Sequence, residues 1–246
     1  MSLPLVKPEN PLEGIDLLIC DFDNSCYHST KEYADAVNLL YADFLVEKGL
    51  SEGEEASRAL AKKYYKDYGH GIFGPQENGH DICPEEYFSY IHTEVLKRKY
   101  MEAHLVGARF DLQALLPLNI KFAMFTQGSR PYALHGIKFF GYEDIFPEKQ
   151  VYGFDCMGLS QERMKHNAYP WQKVADDMGV PYHRVAVLED SCDYLKPPKA
   201  LGMRTIFVEN DQYFHFNFKE VGGDHVHYHY KSTTDFINAV VAGMKK

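Results

Sequence analysis

Four short apolar runs, Ile15–Cys20, Ile120–Phe125, Val185–Leu188 and Thr205–Val208, are each bounded by polar or turn residues. Runs of this kind read as strands buried on both faces, the habit of parallel sheets. Helical stretches separate the later ones. Tyr132–Phe140 follows the second run, Ala168–Met178 precedes the third with Gly179 as its stop, and Asp193–Leu201 precedes the fourth. Strands alternating with helices predict a doubly wound α/β fold, a parallel sheet with helices on both faces.

Between the first two runs this rhythm breaks. Tyr33–Lys48 carries Val37, Leu40, Tyr41, Phe44 and Leu45 at helical spacing. Glu54–Tyr68 and Pro84–Lys99 read the same way, the latter opening on Pro-Glu-Glu as a helix start does. Between them Gly69–Pro75 is a glycine-punctuated loop. An α-helical insert, 30–116, is therefore expected inside an α/β core made of 1–29 and 117–246. The insert's aromatic residues, Tyr64, Tyr65, Tyr68, Tyr87, Phe88 and Tyr90, read as its own core. One or two near the glycine loop are in a position to stack on a base.

Composition narrows the partners. With 246 residues, 45% of them apolar, the chain is long enough to bury a sizeable core. A formal charge of -9 and a pI near 5.7 argue against nucleic acid, which demands a basic face. Five scattered cysteines without a CxxC pair argue against a disulfide framework or a Cys-rich zinc site, and for a reducing, cytoplasmic setting. Met1–Glu13 holds one Lys and three prolines and does not read as a signal peptide. No window reaches the about 18 apolar residues of a membrane span.

Open parallel sheets bind ligands at the carboxyl ends of their strands. After the first run stand Asp21-Phe22-Asp23-Asn24-Ser25, after the second Thr126-Gln127-Gly128-Ser129, after the third Glu189-Asp190-Ser191, and Lys165 precedes the helix that leads to the third. Asp21 and Asp23 leave one tight turn, and two close carboxylates favour a divalent cation or a shared proton. Asp190 adds a hard oxygen ligand, Glu189 a further ligand or an orienting group. Few carboxylates with room for water and a phosphate oxygen suit Mg2+. Thr126 offers a hydroxyl and Lys165 a point charge to phosphoryl oxygens. His70, in the glycine loop, reads either as a substrate contact from the insert or as a solvated loop residue. Asp193 reads as a group orienting Lys165 or as a helix cap. His225, His227 and His229 share one face if they lie on a strand. Their span of about 13 Å is too long for one metal, so a solvated face is expected, with a two-histidine site as the alternative.

The order Asp-x-Asp, Thr, Lys, Glu-Asp-Ser resembles the haloacid dehalogenase superfamily, from about Ile15 to Val208. The resemblance implies a Rossmann-like core with the helical insert as a cap. It implies Asp21 as nucleophile and Asp23 as acid and base. Mg2+ would be held by Asp21, the Asp23 main-chain carbonyl and Asp190, and phosphate by Thr126 and Lys165. Within the superfamily, Asp21-Phe22-Asp23-Asn24-Ser25-Cys26-Tyr27 resembles the DxDNxLY opening of pyrimidine 5′-nucleotidases, with Asn24 where most relatives of the superfamily have Gly. Tyr64-Tyr65-Lys66-Asp67-Tyr68-Gly69 with Gly74 resembles their YYKxYG…G segment. Asn24, Ser25, Gln127 and His70 then become candidate substrate contacts, and a nucleoside monophosphate such as UMP or CMP the expected ester. Cys26 replaces the usual Leu, His166 the usual Pro after the lysine, Gln127 the common Asn, and Glu189-Asp190 the Asp-Asp pair. These departures touch the substrate more than the chemistry. A sugar-phosphate or pyridoxal-phosphate phosphatase, a phosphomutase and a silent binding protein are the alternatives; Asp23 argues against a dehalogenase.

Overall fold

The computed structural model describes residues 9–210 and 222–244; of the Met1–Glu13 stretch, residues 1–8 lie outside them. Among the described residues six strands pair in parallel: β1 Leu17–Cys20, β2 Lys121–Phe125, β3 Val151–Tyr152, β4 Val185–Glu189, β5 Arg204–Val208 and β6 Tyr228–Tyr230. Their order is β3-β2-β1-β4-β5-β6. The four apolar runs are the central four strands, and β1 and β4 are buried along their whole length. The order reverses at β1, and the crevice beyond the strand ends at such a reversal is where a ligand fits. Cys20 at the end of β1 pairs with Met124 of β2 and Leu188 of β4, so the next residues of all three strands emerge side by side.

Between β1 and β2 run α1 Lys31–Glu47, α2 Glu54–Tyr68, α3 Gly74–Glu77, α4 Pro84–Lys97 and α5 Tyr100–His104. This is the helical insert read from the sequence. Thr30 caps α1, its side chain accepting the Tyr33 N–H at 3.2 Å. Phe44 of α1 stacks on Tyr87 of α4 with ring centroids 4.2 Å apart. The chains entering and leaving the insert pair as an antiparallel bridge at Tyr27 and Arg109. The segment 69–75 is no open loop: it winds into a 3-10 turn, Gly71–Phe73, and then α3, with His70, Ile72 and Phe73 buried.

The remaining helices are α6 Arg130–Phe140, α7 Ala168–Asp177, α8 Lys196–Ala200 and α9 Thr233–Met244. The continuous helix expected over 193–201 is instead a 3-10 turn, Cys192–Leu195, followed by α8. Pro197 and Pro198 cannot donate an N–H and so sit only in a first helical turn, which forces a restart there. The histidines of 225–229 are a second correction. Only His229 falls in β6, a strand too short to present three alternating residues. Each ring turns to a different partner: His225 to Cys192 Sγ at 3.2 Å, His227 to the Thr205 N–H at 3.0 Å, and His229 to Glu209 Oε1 at 2.7 Å. They form neither one solvated face nor a shared metal site.

Phe22, between the two aspartates of the first strand end, is wholly buried. Its ring meets Tyr27 and Tyr132 edge-on at 5.2 and 5.7 Å and fills the space above Gly136 of α6, where an added Cβ would lie 2.1 Å from the ring. Helix propensity alone favours Ala over Gly by about 1 kcal/mol. Overpacking costs about 1–3 kcal/mol and should win here. Gly136→Ala is expected to lower the free energy of urea unfolding; a gain in stability would show that Phe22 is not held against α6 as described.

Candidate active site

Asp21 leaves β1 with its N–H donating to Leu188 O of β4 at 2.9 Å. Its buried carboxylate accepts from Lys165 Nζ, which also donates to Glu189 Oε2 at 2.7 Å. The lysine is 1% exposed, and its ammonium lies 5.4 Å from the Phe125 ring and 5.9 Å from those of Trp171 and Tyr194. Trp171 Nε1–H donates to the Lys165 carbonyl at 2.8 Å and fixes the approach of its backbone. Burial works against the charge, but Asp21 and Glu189 together hold the Lys165 pKa above the usual lysine value.

Asp190 Oδ2 accepts from Asn24 Nδ2 at 3.0 Å, and Glu189 Oε1 accepts the Ser191 N–H at 3.2 Å. Asp21, Glu189 and Asp190 each bring one carboxylate oxygen within 4.8 Å of the others, the one such group of three among the described residues. Burial, then repulsion from Asp190 and Asp23, pushes the Asp21 carboxyl up to about 6 although Lys165 pulls the other way. Burial and the Asp21 charge push Glu189 well above the usual range. One lysine does not balance these carboxylates. A hard divalent cation fits the all-oxygen donor set.

Asp23 makes a different set of contacts. Its Oδ2 accepts from Thr126 Oγ1 at 3.1 Å, and its Oδ1 accepts from the hydroxyls of Tyr27 at 2.7 Å and Tyr132 at 2.5 Å. Burial raises the Asp23 pKa, while Tyr132, Tyr27 and Thr126 each pull it down. Tyr33 of α1 stands behind, its hydroxyl 2.8 Å from that of Tyr132.

Both aspartates open into a cavity of about 150 Å3 that also takes in Lys165, Glu189 and Asp190. Tyr41, Tyr65, His70 and His92 line it from the insert, Gln127 and Tyr194 from the core. Burial holds the His70 pKa down to about 4, and burial with the neighbouring His70 holds His92 down to about 3. Both rings are uncharged at neutral pH.

Asp21, Asp23, Lys165, Glu189, Asp190, Gln127 and His70 thus converge. His70 is 5% exposed, so the solvated-loop reading is corrected: its ring is part of the cavity wall. Gln127 Oε1 accepts the Lys165 N–H at 3.2 Å and its amide donates to Tyr194 at 2.8 Å. The Thr126 hydroxyl faces Asp23 and accepts the Gly128 N–H at 2.8 Å. Asn24 and Ser25 lie outside the cavity lining. Asn24 turns at φ +58°, a left-handed conformation that Asn tolerates as Gly does, and its side chain joins Asp190 to the Ser29 N–H. Ser25 is buried, its carbonyl accepting from Thr233 Oγ1 at 3.0 Å. Asp193 pairs with Lys196 at 2.5 Å, so its contact is with the next turn. Sequence reasoning missed Tyr27, Tyr33, Tyr132, Tyr41 and His92 as site residues. Tyr27 stood in the quoted opening motif, and its hydroxyl was the available signal.

No protein-family profile matches the chain, and no curated protein does. Solved structures do match. One is a candidate β-phosphoglucomutase from Thermotoga maritima, 16% identical, TM-score 0.56, over 92% of this chain and 98% of that one. Another is a HAD-superfamily hydrolase of subfamily IA from Geobacter sulfurreducens PCA, 15% identical, TM-score 0.54, over 92% and 97%. A third is a HAD family hydrolase from Deinococcus radiodurans R1 with bound phosphate and sodium, 16% identical, TM-score 0.53, over 94% and 97%. At these identities the likeness carries the fold: an α/β Rossmann-like sheet with a helical cap.

The carboxylate set predicts a pH-dependent metal effect. Asp21 and Glu189 hold protons to higher pH in the folded chain than in the unfolded one, so the metal-free protein should lose stability as pH rises from about 4 through about 6. A divalent cation competes with those protons. Millimolar MgCl2 is therefore expected to raise the melting temperature by several degrees at pH 7.5 and by less at pH 5. Asp190→Asn should remove most of the increment; an equal increment in that variant would place the cation elsewhere.

Proposed function

We propose that this chain is a Mg2+-dependent phosphomonoesterase that forms an aspartyl phosphate on Asp21, and that its ester is a pyrimidine nucleoside 5′-monophosphate. The observation that carries the chemistry is the contrast between its two aspartates. Asp21 is gripped by a buried lysine beside two further carboxylates, whereas Asp23, two residues on, is held by hydroxyl donors alone. The first environment suits a metal-assisted nucleophile and the second a group that gives and takes a proton.

Asp21 and Asp190 are the ligands proposed for the cation, with the Asp23 main-chain carbonyl as the family resemblance implies. Glu189, both of whose oxygens accept hydrogen bonds, is then an orienting group. Bound there, Mg2+ neutralises phosphoryl charge. An Asp21 oxygen attacks phosphorus while Asp23 passes a proton to the departing ester oxygen. Asp23, now a carboxylate, then takes a proton from water, which cleaves the acyl phosphate and frees Asp21. Lys165 keeps Asp21 oriented for attack and offers positive charge to the phosphoryl oxygens. Thr126 and the Gly128 amide, beside Asp23, become further phosphate donors in this reading once the ester displaces the bonds they make here, Thr126 to Asp23 and Gly128 to Thr126. The chain's setting is read as cytoplasmic, in keeping with five cysteines of which none is in a disulfide; no described helix is long and apolar enough to cross a membrane.

The cavity wall supports an uncharged leaving group with a flat ring. Tyr41, Tyr65, His70 and His92 present neutral rings, and Lys165 is the only lysine or arginine among the described residues that line it. Its volume favours a second reading. About 150 Å3 is below the roughly 300–1,000 Å3 of ordinary ligand pockets, so a smaller phosphometabolite fits it without rearrangement, while a nucleoside requires the 30–116 insert, acting as cap, to move outward.

A phosphate-release assay with Mg2+ separates these readings. Asp21→Asn is expected to lower release by about 10³-fold or more, as loss of a nucleophile does, and unchanged release would sink the mechanism. On a panel of UMP, CMP, AMP, sugar phosphates and pyridoxal phosphate, the pyrimidine nucleotides are expected to rank first. Background rates with them would remove the nucleotidase assignment and leave the phosphatase.

A further inference from the structure

The geometry points to Tyr132 and Tyr27 as positioning residues that assign the transferable proton of Asp23 to one oxygen, Oδ2, with Tyr33 of the insert holding Tyr132 in place. The inference rests on the phosphatase reading, in which Asp23 protonates the leaving oxygen. A carboxyl oxygen has two lone pairs. On Oδ1 both are taken by phenol hydrogens, from Tyr27 at 2.7 Å and Tyr132 at 2.5 Å. A proton placed there has to displace a donor. Oδ2 accepts one hydrogen bond, from Thr126 at 3.1 Å, and its second lone pair is where the proton goes.

Donor counting also orders the chain behind it. Tyr132 has one hydroxyl hydrogen and gives it to Asp23, so in the 2.8 Å contact with Tyr33 the Tyr132 oxygen accepts. Hydrogen bonds in series polarise one another, which strengthens the grip on Oδ1. The three phenols come from three segments: Tyr27 from the chain leaving β1, Tyr33 from α1 of the insert and Tyr132 from α6 of the core. All three are at least 95% buried. Phe22 meets the rings of Tyr27 and Tyr132 edge-on and limits their rotation. Removing a hydroxyl while keeping its ring therefore loosens the carboxyl without opening the core.

Proton delivery matters only to a leaving group that needs it. When the phosphorus–oxygen bond of an alkyl ester breaks, its electron pair stays on an oxygen that must receive the Asp23 proton. A 4-nitrophenolate departs with the electron pair and no proton. The test compares kcat/KM on propyl phosphate and 4-nitrophenyl phosphate for the full chain and its Tyr132→Phe, Tyr27→Phe and Tyr33→Phe variants. For Tyr132→Phe and Tyr27→Phe the loss on propyl phosphate is expected to exceed the loss on 4-nitrophenyl phosphate by roughly 10- to 100-fold, part of what general acid catalysis supplies. Tyr33→Phe, one bond further out, should show the same bias, smaller, and it remains informative if Tyr132→Phe does not fold. Equal losses on the two esters in the folded variants overturn the positioning role. Asp23→Asn separates the two levels of failure. If it is selective for the alkyl ester and the phenylalanine variants are not, the positioning role alone falls. If it is not selective, or the unmodified chain cleaves neither ester, the acid role of Asp23 falls and the inference with it.

Discussion

A single buried cation ties the site together. Lys165 comes from the segment before α7, yet its ammonium sits between the residue that follows β1 and the residue that ends β4. A charge 1% exposed is costly unless it is paired and hydrogen-bonded. Here two carboxylates pair it, three aromatic rings surround it, and Trp171 anchors its backbone. The dependence runs both ways. Without Lys165, Asp21 and Glu189 are buried anions facing Asp190, and the neighbouring strands β1 and β4 cannot both end in acid. With it, the strand ends still carry more negative charge than one lysine balances. Proton uptake or a divalent cation makes up the difference, and the raised pKa values of Asp21 and Glu189 are the sign of that imbalance.

Much of this frame was legible because a buried strand needs an unbroken apolar run, and four such runs gave the four central strands. The residue after each run is the residue at the strand's carboxyl end, so Asp21, Thr126, Glu189 and Asp190 could be read without knowing the fold. The two outer strands were not legible. Val151–Tyr152 and Tyr228–Tyr230 are too short to have a period, and they pair only because β2 and β5 present edges to them. The same limit explains the histidines of 225–229: alternation on a strand predicts a common face only while the strand lasts.

The site itself was half legible, and the missing half is phenolic. A tyrosine at helical spacing reads as core, and Tyr33 and Tyr132 are core by burial. What no local pattern states is that the Tyr132 hydroxyl meets Asp23, 109 residues away in sequence, and that the Tyr33 hydroxyl meets Tyr132 behind it. Asn24 shows the converse. The DxDNxLY resemblance makes it a candidate substrate contact, but the left-handed turn at φ +58° carries its amide toward Asp190. The turn orients a carboxylate of the acidic cluster, and the cavity wall is built elsewhere.

The position of the helical insert has a chemical consequence. It enters the chain just after β1, the strand that leads into the proposed nucleophile, and its Tyr41, Tyr65, His70 and His92 wall the cavity into which Asp21 opens. In the proposed reaction an acyl phosphate on Asp21 must be shielded while the alcohol leaves and then meet one water. Both requirements fall on Asp23, which has to hold a proton for the first step and lack it for the second. Holding that carboxyl with Tyr27, Tyr132 and Thr126, and bracing Tyr132 with Tyr33 of the insert, places both proposed steps under one set of hydroxyls. Tyr33 is the part of this arrangement that the insert supplies, so displacing α1 loosens the grip on Asp23 as well as uncovering Asp21. In the proposed reaction the 2.8 Å meeting of Tyr33 and Tyr132 then links access to the site with alignment of its acid.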